Sequence, residues 1–303
     1  MGQGHSHAPP DSRRRLALVL GLTVTVLLVE VVGAVVSGSL ALLADAAHML
    51  TDVAGLSMAL VVAAMVRRPP SDTHTWGLRR AEVLGAAAQA TLLLVVGGFV
   101  LVEAVRRLDE PAEVTGGAML VFGVVGLLGN VIGMSILAAG GREHHDLNMR
   151  AAYLEVVADA LGSVAVIVAA VLVTTTGWDR ADPVASLVIV ALIVPRTLHL
   201  LRETTHVLLE ATPRGLALAD VRARLLAHDH VREVHDLHVS SVATGLPTLT
   251  AHLVVEGSCF HDGHLASLLD ELQRALADDF DVAHSTLQFE RAGHAEHEHD
   301  LHP

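Results

Sequence analysis

Between residues 16 and 208 the chain alternates six apolar runs with short polar breaks, and those runs decide what it can fold into. They occupy 16–36, 39–66, 81–107, 115–139, 149–175 and 183–207. Each reaches the ~20 residues that an α-helix needs to cross the ~30 Å hydrocarbon core of a bilayer. In hydrocarbon no water satisfies a backbone N–H or C=O, so runs of this length predict helices that bond internally. The whole chain is 52% hydrophobic and only 17% charged, with a mean hydropathy of +0.51. Ordinary soluble character returns after residue 208.

The second and fifth runs carry groups that hydrocarbon rejects. Asp45, His48 and Asp52 lie in "LLADAAHMLTDVAGL" (42–56), and Glu155 and Asp159 in "YLEVVADALGS" (153–163). His48 and Asp52 are four residues apart, as are Glu155 and Asp159, so each pair shares one helix face. A buried carboxylate costs a few kcal/mol (roughly 2.5–3.5 at the helix centre) even on the mildest insertion scale. Polar glue between helices is the alternative reading, but two matched pairs favour a metal or proton site. One imidazole nitrogen and three carboxylate oxygens suit a four-coordinate divalent cation. Small neighbours (Ala46, Ala47, Gly55, Ala158, Ala160, Gly162) permit close helix approach. Glu30 and Asn130 could line the same path or merely join helices.

Arginine sets the topology. Arg13, Arg14 and Arg15, then Arg67, Arg68, Arg79 and Arg80, Arg142 and Arg150, and Arg196 and Arg202 fall on one side; Arg106, Arg107 and Arg180 fall on the other among acidic residues. The arginine-rich side is cytoplasmic by the positive-inside rule, which puts both termini there. "MGQGHSHAPPDSRRR" has no small-residue cleavage site after the first apolar run and reads as a tail, not a signal peptide.

Residues 213–290 read as a small α+β domain in the order αββαβ. A helical pattern starts at Pro213 and runs to about 228; "EVHDLHVSSV" and "TLTAHLVVE" alternate as strands around "GLP" (245–247). Residues 261–278 put Leu265, Leu268, Leu269, Leu272 and Leu276 on one helix face, and "STLQFE" closes the sheet. The expected divisions are a His-containing cytoplasmic tail at 1–15, a six-helix transmembrane domain at 16–208, a cytoplasmic domain at 209–291 and a disordered His-rich tail at 292–303.

Composition removes several function classes. All 20 basic residues are Arg, and the net charge of −13 argues against nucleic acid and suits a cationic partner. The single cysteine, Cys259, excludes an intramolecular disulfide and thiolate clusters. The 20 histidines point to metal. No nucleotide-binding glycine loop and no nucleophile–base pair is evident, so neither ATP-driven pumping nor an enzyme is expected.

Four motifs in order resemble the cation diffusion facilitator family, exporters of zinc and related metals. "SGSLALLADAAHMLTD" (37–52) is similar to its second-helix signature, and "HTWGLRRAEVLGA" (74–86) to its following loop and third-helix start. "NMRAAYLEVVADALGS" (148–163) resembles its fifth-helix motif, and "HSTLQFE" (284–290) its closing cytoplasmic strand. The resemblance implies a homodimer of six-helix subunits in a membrane, for this chain a bacterial inner membrane. It also implies proton-coupled antiport by alternating access, and a ferredoxin-like or metallochaperone-like cytoplasmic domain that binds metal. His48, Asp52 and Asp159 match the family's transport site; Glu155 stands where zinc members usually have His. His235, His252, His264 and His284 resemble its cytoplasmic metal positions, with Glu290 a fifth candidate. The loop carries His74 and Asp72, but a second histidine expected four residues after His74 is Leu78.

Zn²⁺ is the expected cargo and protons the counter-ion. Mn²⁺, Co²⁺, Ni²⁺, Cd²⁺ or Fe²⁺ remain open as main substrate, because Glu155 hardens the donor set. A membrane-bound metal sensor or scaffold that does not transport is the reading from a different class.

Overall fold

A computed structural model describes residues 10–65, 70–138, 147–243 and 245–294. Arg67, Arg68, His144 and His145 and most of both histidine-bearing tails lie outside the described residues. So do the side chains of Asp52 and Glu155, although the helices that carry them are described.

Six long helices come first: α1 (Pro10–Ser37), α2 (Leu40–Met65), α3 (Arg80–Asp109), α4 (Gly116–Ala138), α5 (Leu147–Thr176) and α6 (Ala181–Leu208). Their ends agree with the apolar runs to within a few residues, except that α1 extends back to Pro10. Among the described residues, windows in α1, α3, α4, α5 and α6 are long and apolar enough to cross a membrane. The chain is a multi-pass membrane protein. The outer faces confirm the solvent: Val35, Val95, Val102, Val121 and Leu161 all point outward. Apolar side chains on that scale suit lipid and not water.

The chain divides into two compact units. One holds the described residues up to Val61 and Ala88–Leu201. Its core is made by Leu40, Leu42 and Ala44 of α2, Val100 and Ala104 of α3, Met119 of α4, Val166 and Ala170 of α5, and Ile189 of α6. Many of these are Ala or Val, which lets the helices pack closely.

The second unit comprises Val62–Ala87 and the chain from Arg202 onward. It contains α7 (Leu218–Leu226), β1 (Val231–Ala243), β2 (Leu246–Val255), a 3-10 turn (Gly257–Phe260), α8 (Leu265–Phe280) and β3 (His284–Glu290). The sheet order is β1-β2-β3, with β1 and β2 antiparallel and β3 parallel to β2. A parallel neighbour needs a crossover, and α8 supplies it. Leu268, Leu272 and Leu276 of α8 are buried with Val221 and Leu225 of α7 and Leu249 and Leu253 of β2. Each such side chain contributes about 1.5–3 kcal/mol on burial. The first helix of this domain starts at Leu218, later than the Pro213 start expected, because Leu216 N–H bonds back to Pro213 O in a turn.

Candidate metal centres

The membrane centre begins at the start of α2. Ser39 caps the helix, its Oγ accepting from Leu42 N–H at 3.1 Å. Asp182, at the start of α6 and 0% exposed, accepts from Ser39 Oγ at 2.5 Å, Leu40 N–H at 2.8 Å and Ala41 N–H at 3.1 Å. Its charge complements the positive end of the helix dipole. Arg107 of α3 stands 4.0 Å from Asp182 and donates to Gly38 O at 2.8 Å. A buried carboxylate thus fixes the start of α2, eight residues before His48.

At His48 the second and fifth helices meet. His48 Nε2 lies 2.9 Å from Asp159 Oδ1, and both side chains are nearly buried. One turn earlier on α2, Asp45 Oδ1 lies where a side chain at Gly162 would sit: a Cβ there would approach to 3.0 Å. Ser163 Oγ donates to Asp45 Oδ2 at 3.3 Å and accepts from Asn130 Nδ2 at 3.3 Å. Beside this group is a cavity of about 40 Å³ lined by Asp45, His48, Asp159, Gly162, Ile189, Leu192, Ile193 and Arg196. A single water needs about 10–15 Å³ of such volume, so an ion with a water fits.

The contacts also set a register. His48 meets Asp159, and three residues back on α2, Asp45 meets Gly162, three residues on along α5. The two helices therefore run antiparallel here. Asp182, Arg107 and Ser163 were not singled out from the sequence as parts of this region. An acidic residue opening a helix hints at a cap, but nothing local says that the capped helix starts at Leu40.

The cytoplasmic centre is built by strand pairing. His235 of β1 and His252 of β2 are direct cross-strand partners, their rings 5.2 Å apart. β3 runs beside β2 and pairs Glu290 with Val254. Glu290, 3% exposed, reaches both imidazoles: Oε2 is 3.1 Å from His235 Nε2 and Oε1 is 2.9 Å from His252 Nδ1. Gln288 Nε2 donates to Glu290 Oε1 at 2.8 Å. One ligand atom from each of His235, His252 and Glu290 lies within 4.8 Å of the others. Two imidazoles and a carboxylate with a fourth position open is a chemically apt set for zinc.

A bulge widens this centre. The β1–β2 register shifts between His235 and His238, and Asp236 takes a positive φ of 47°. Its Oδ1 lies 2.8 Å from His238 Nε2 and its Oδ2 3.7 Å from His252 Nε2. The bulge thus brings Asp236 and His238 together.

The other two histidines with family-like positions lie elsewhere. His264 precedes α8 and faces His230, ring centroids 4.5 Å apart. His230 bonds Glu256, and this contact, with Arg232 alongside, holds the Glu256 carboxyl below the usual carboxylate range. His284 is paired with Thr248, four positions before His252 on β2, and its ring meets the edge of Trp76 at 4.8 Å. In the preceding loop, His74 Nδ1 lies 3.1 Å from Thr73 Oγ1.

Comparison with known proteins adds a family. Residues 16–209 match the cation efflux transmembrane domain, and residues 213–292 the cation efflux protein cytoplasmic domain. The metal cation efflux system protein CzcD of Cupriavidus metallidurans is 42% identical over 293 residues, 96% of this chain and 91% of that protein. The zinc transporter ZitB of Escherichia coli is 41% identical over 287 residues, covering 94% and 90%. A cadmium, cobalt and zinc/H(+)-K(+) antiporter of Bacillus velezensis is 33% identical over 294 residues, covering 97% and 93%. Among solved structures, the metal-bound C-terminal domain of the CzcD transporter matches at 37% identity, covering 25% of this chain and 99% of that one, with a TM-score of 0.23.

Proposed function

The chain belongs to the cation diffusion facilitator family of cation efflux proteins, and we propose that it exports Zn²⁺ from the cytoplasm in exchange for protons. The metal is held by His48, Asp52, Glu155 and Asp159, and the site opens alternately to the two sides of the membrane. The observation that carries this reading is the 2.9 Å approach of His48 and Asp159 from two different helices beside a cavity that Asp45 also lines. Asp52 comes four residues after His48 and Glu155 four residues before Asp159, on helices that run antiparallel. That supports one cluster of four ligands.

Charge explains the exchange. Several carboxylates crowded in a dry pocket cannot all remain anions without a counter-charge. A divalent cation supplies it, or protons do. Occupancy by one displaces the other, so an inward proton gradient drives metal outward. The titrations belong to the cluster and not to single residues.

His235, His252 and Glu290 bind a second metal in the cytoplasmic domain, with His264 and His284 as further candidates. That domain adjusts transport by shifting the populations of conformational states. We place residues 16–208 in the inner membrane of a bacterium and 209–291 in the cytoplasm, with both termini cytoplasmic and two copies forming a homodimer. A sensor needs only the cytoplasmic cluster and leaves the intramembrane contact without a role.

The test is flux in liposomes that contain the purified protein and a pH-sensitive dye. Zn²⁺, Co²⁺, Cd²⁺ and Mn²⁺ are offered in turn. Zinc uptake accompanied by opposite proton movement is the expected result. Metal binding with no flux of any metal would instead identify a sensor.

A further inference from the structure

Glu30 lies on α1, outside the proposed ligand set. It is 0% exposed, and among the described residues neither carboxyl oxygen has a hydrogen-bond partner. The opposite helix makes room for it. A Cβ at Gly126 of α4 would overlap Glu30 Oε1 and stand 3.5 Å from Ser163 Oγ. The carboxyl therefore ends between α4 and α5, next to the polar line formed by Asn130, Ser163 and Asp45.

Among the described residues, the charged groups that act on it are carboxyls. α4 has no titratable residue between Gly116 and Ala138. The groups that act on Glu30 electrostatically are Asp45 of α2 and Asp159 of α5, both carboxyls. His48 and Arg196 line one cavity together with Asp45 and Asp159, and Glu30 is not among its lining residues. An anion this deep with no donor and two like charges nearby is not tenable. A neutral, protonated carboxyl is.

We propose that Glu30 is a proton-binding site separate from the metal ligands, and that its proton is exchanged against the metal. This rests on the proton-exchange reading above. With the metal site empty, Glu30 holds its proton. A divalent cation beside Asp159 reverses the sign of the local field, and the proton leaves to the aqueous side that is open. When the metal departs, Glu30 takes a proton back. The coupling is reciprocal: a proton on Glu30 weakens metal binding by the factor by which metal weakens proton binding. No bond other than O–H is made or broken.

Glu30→Gln keeps the shape and cannot titrate; Glu30→Asp still can. Infrared difference spectra of the reconstituted protein, metal-free against zinc-loaded, should show loss of a protonated-carboxyl C=O band on loading. Labelling with ¹³C-glutamate should shift that band, and Glu30→Gln should abolish it. In liposomes the proton-to-zinc ratio should fall by about one in Glu30→Gln, flattening the pH dependence of flux, and recover in Glu30→Asp. A band that persists in Glu30→Gln, or an unchanged ratio and pH profile, overturns the proposal. If Glu30→Gln does not fold, the absence of any glutamate band in the labelled wild type does so. Zinc flux without proton flux in the wild type defeats the exchange reading itself, a result distinct from a Glu30→Gln ratio equal to a coupled wild type.

Discussion

Replacing Asp182 by Ala tests what holds the transport helix in place. Its carboxylate accepts three hydrogen bonds, from Ser39 Oγ, Leu40 N–H and Ala41 N–H, and is fully buried. Hydrogen bonds to a charged group contribute about 1.5–3 kcal/mol each, but these three share one acceptor and do not add. Arg107 keeps its ion pair with Glu103 at 3.0 Å, so the cost is that of leaving buried donors without their acceptor. The expected loss is therefore about 1.5–3 kcal/mol of unfolding free energy. Asp182→Asn keeps the volume and part of the acceptor capacity, so it should fall between. His48 lies eight residues, about 12 Å, along the helix from Leu40, so fraying of this end also loosens its depth. Denaturant unfolding in detergent followed by circular dichroism measures the first effect; zinc flux in liposomes measures the second. Unfolding of Asp182→Ala within about 0.5 kcal/mol of wild type, the range of an ordinary surface change, with unchanged flux, would refute the reasoning.

Three further outcomes follow from the same geometry. Gly162→Ala places a methyl 3.0 Å from Asp45 Oδ1, so zinc flux should fall while helix content stays constant; normal flux would mean that Asp45 need not hold its position. The pair His235→Ala and His252→Ala should weaken cytoplasmic zinc binding by more than the about 10–100-fold seen when a ligand's supporting partner is lost, while leaving flux measurable at altered apparent affinity. Complete loss of flux in the folded double variant counts against a modulatory role. Glu155→His should favour Zn²⁺ over Mn²⁺ and move the pH dependence of uptake toward the histidine range; identical selectivity and pH profile would remove Glu155 from the ligand set.

The helices were legible because each is long and apolar, a signal that needs no partner to read. His48 and Asp159 stood out because ionisable groups in apolar runs are costly. Their direct contact is a tertiary fact, set by how α2 and α5 pack. Asp182 gives no local sign of its role, since its partners lie 141 to 143 residues away in sequence. His235 and His252 fall in the two runs that alternate as strands around residues 245–247, and the strand register pairs them directly. The sequence pattern could not show that His284 is displaced along the sheet, because the parallel register of β3 decides that. Nor could alternation foresee the bulge at Asp236, where a positive φ breaks the period of two.

The central claim is that helices α2 and α5 together form the site that carries metal through the membrane. Its most direct test is zinc flux and zinc binding by the full chain in liposomes, comparing wild type with Asp52→Ala and Asp159→Ala. Both variants should insert and keep cytoplasmic zinc binding, yet lose the membrane-bound zinc and all flux. If either carries zinc at the wild-type rate, the metal does not pass between these residues.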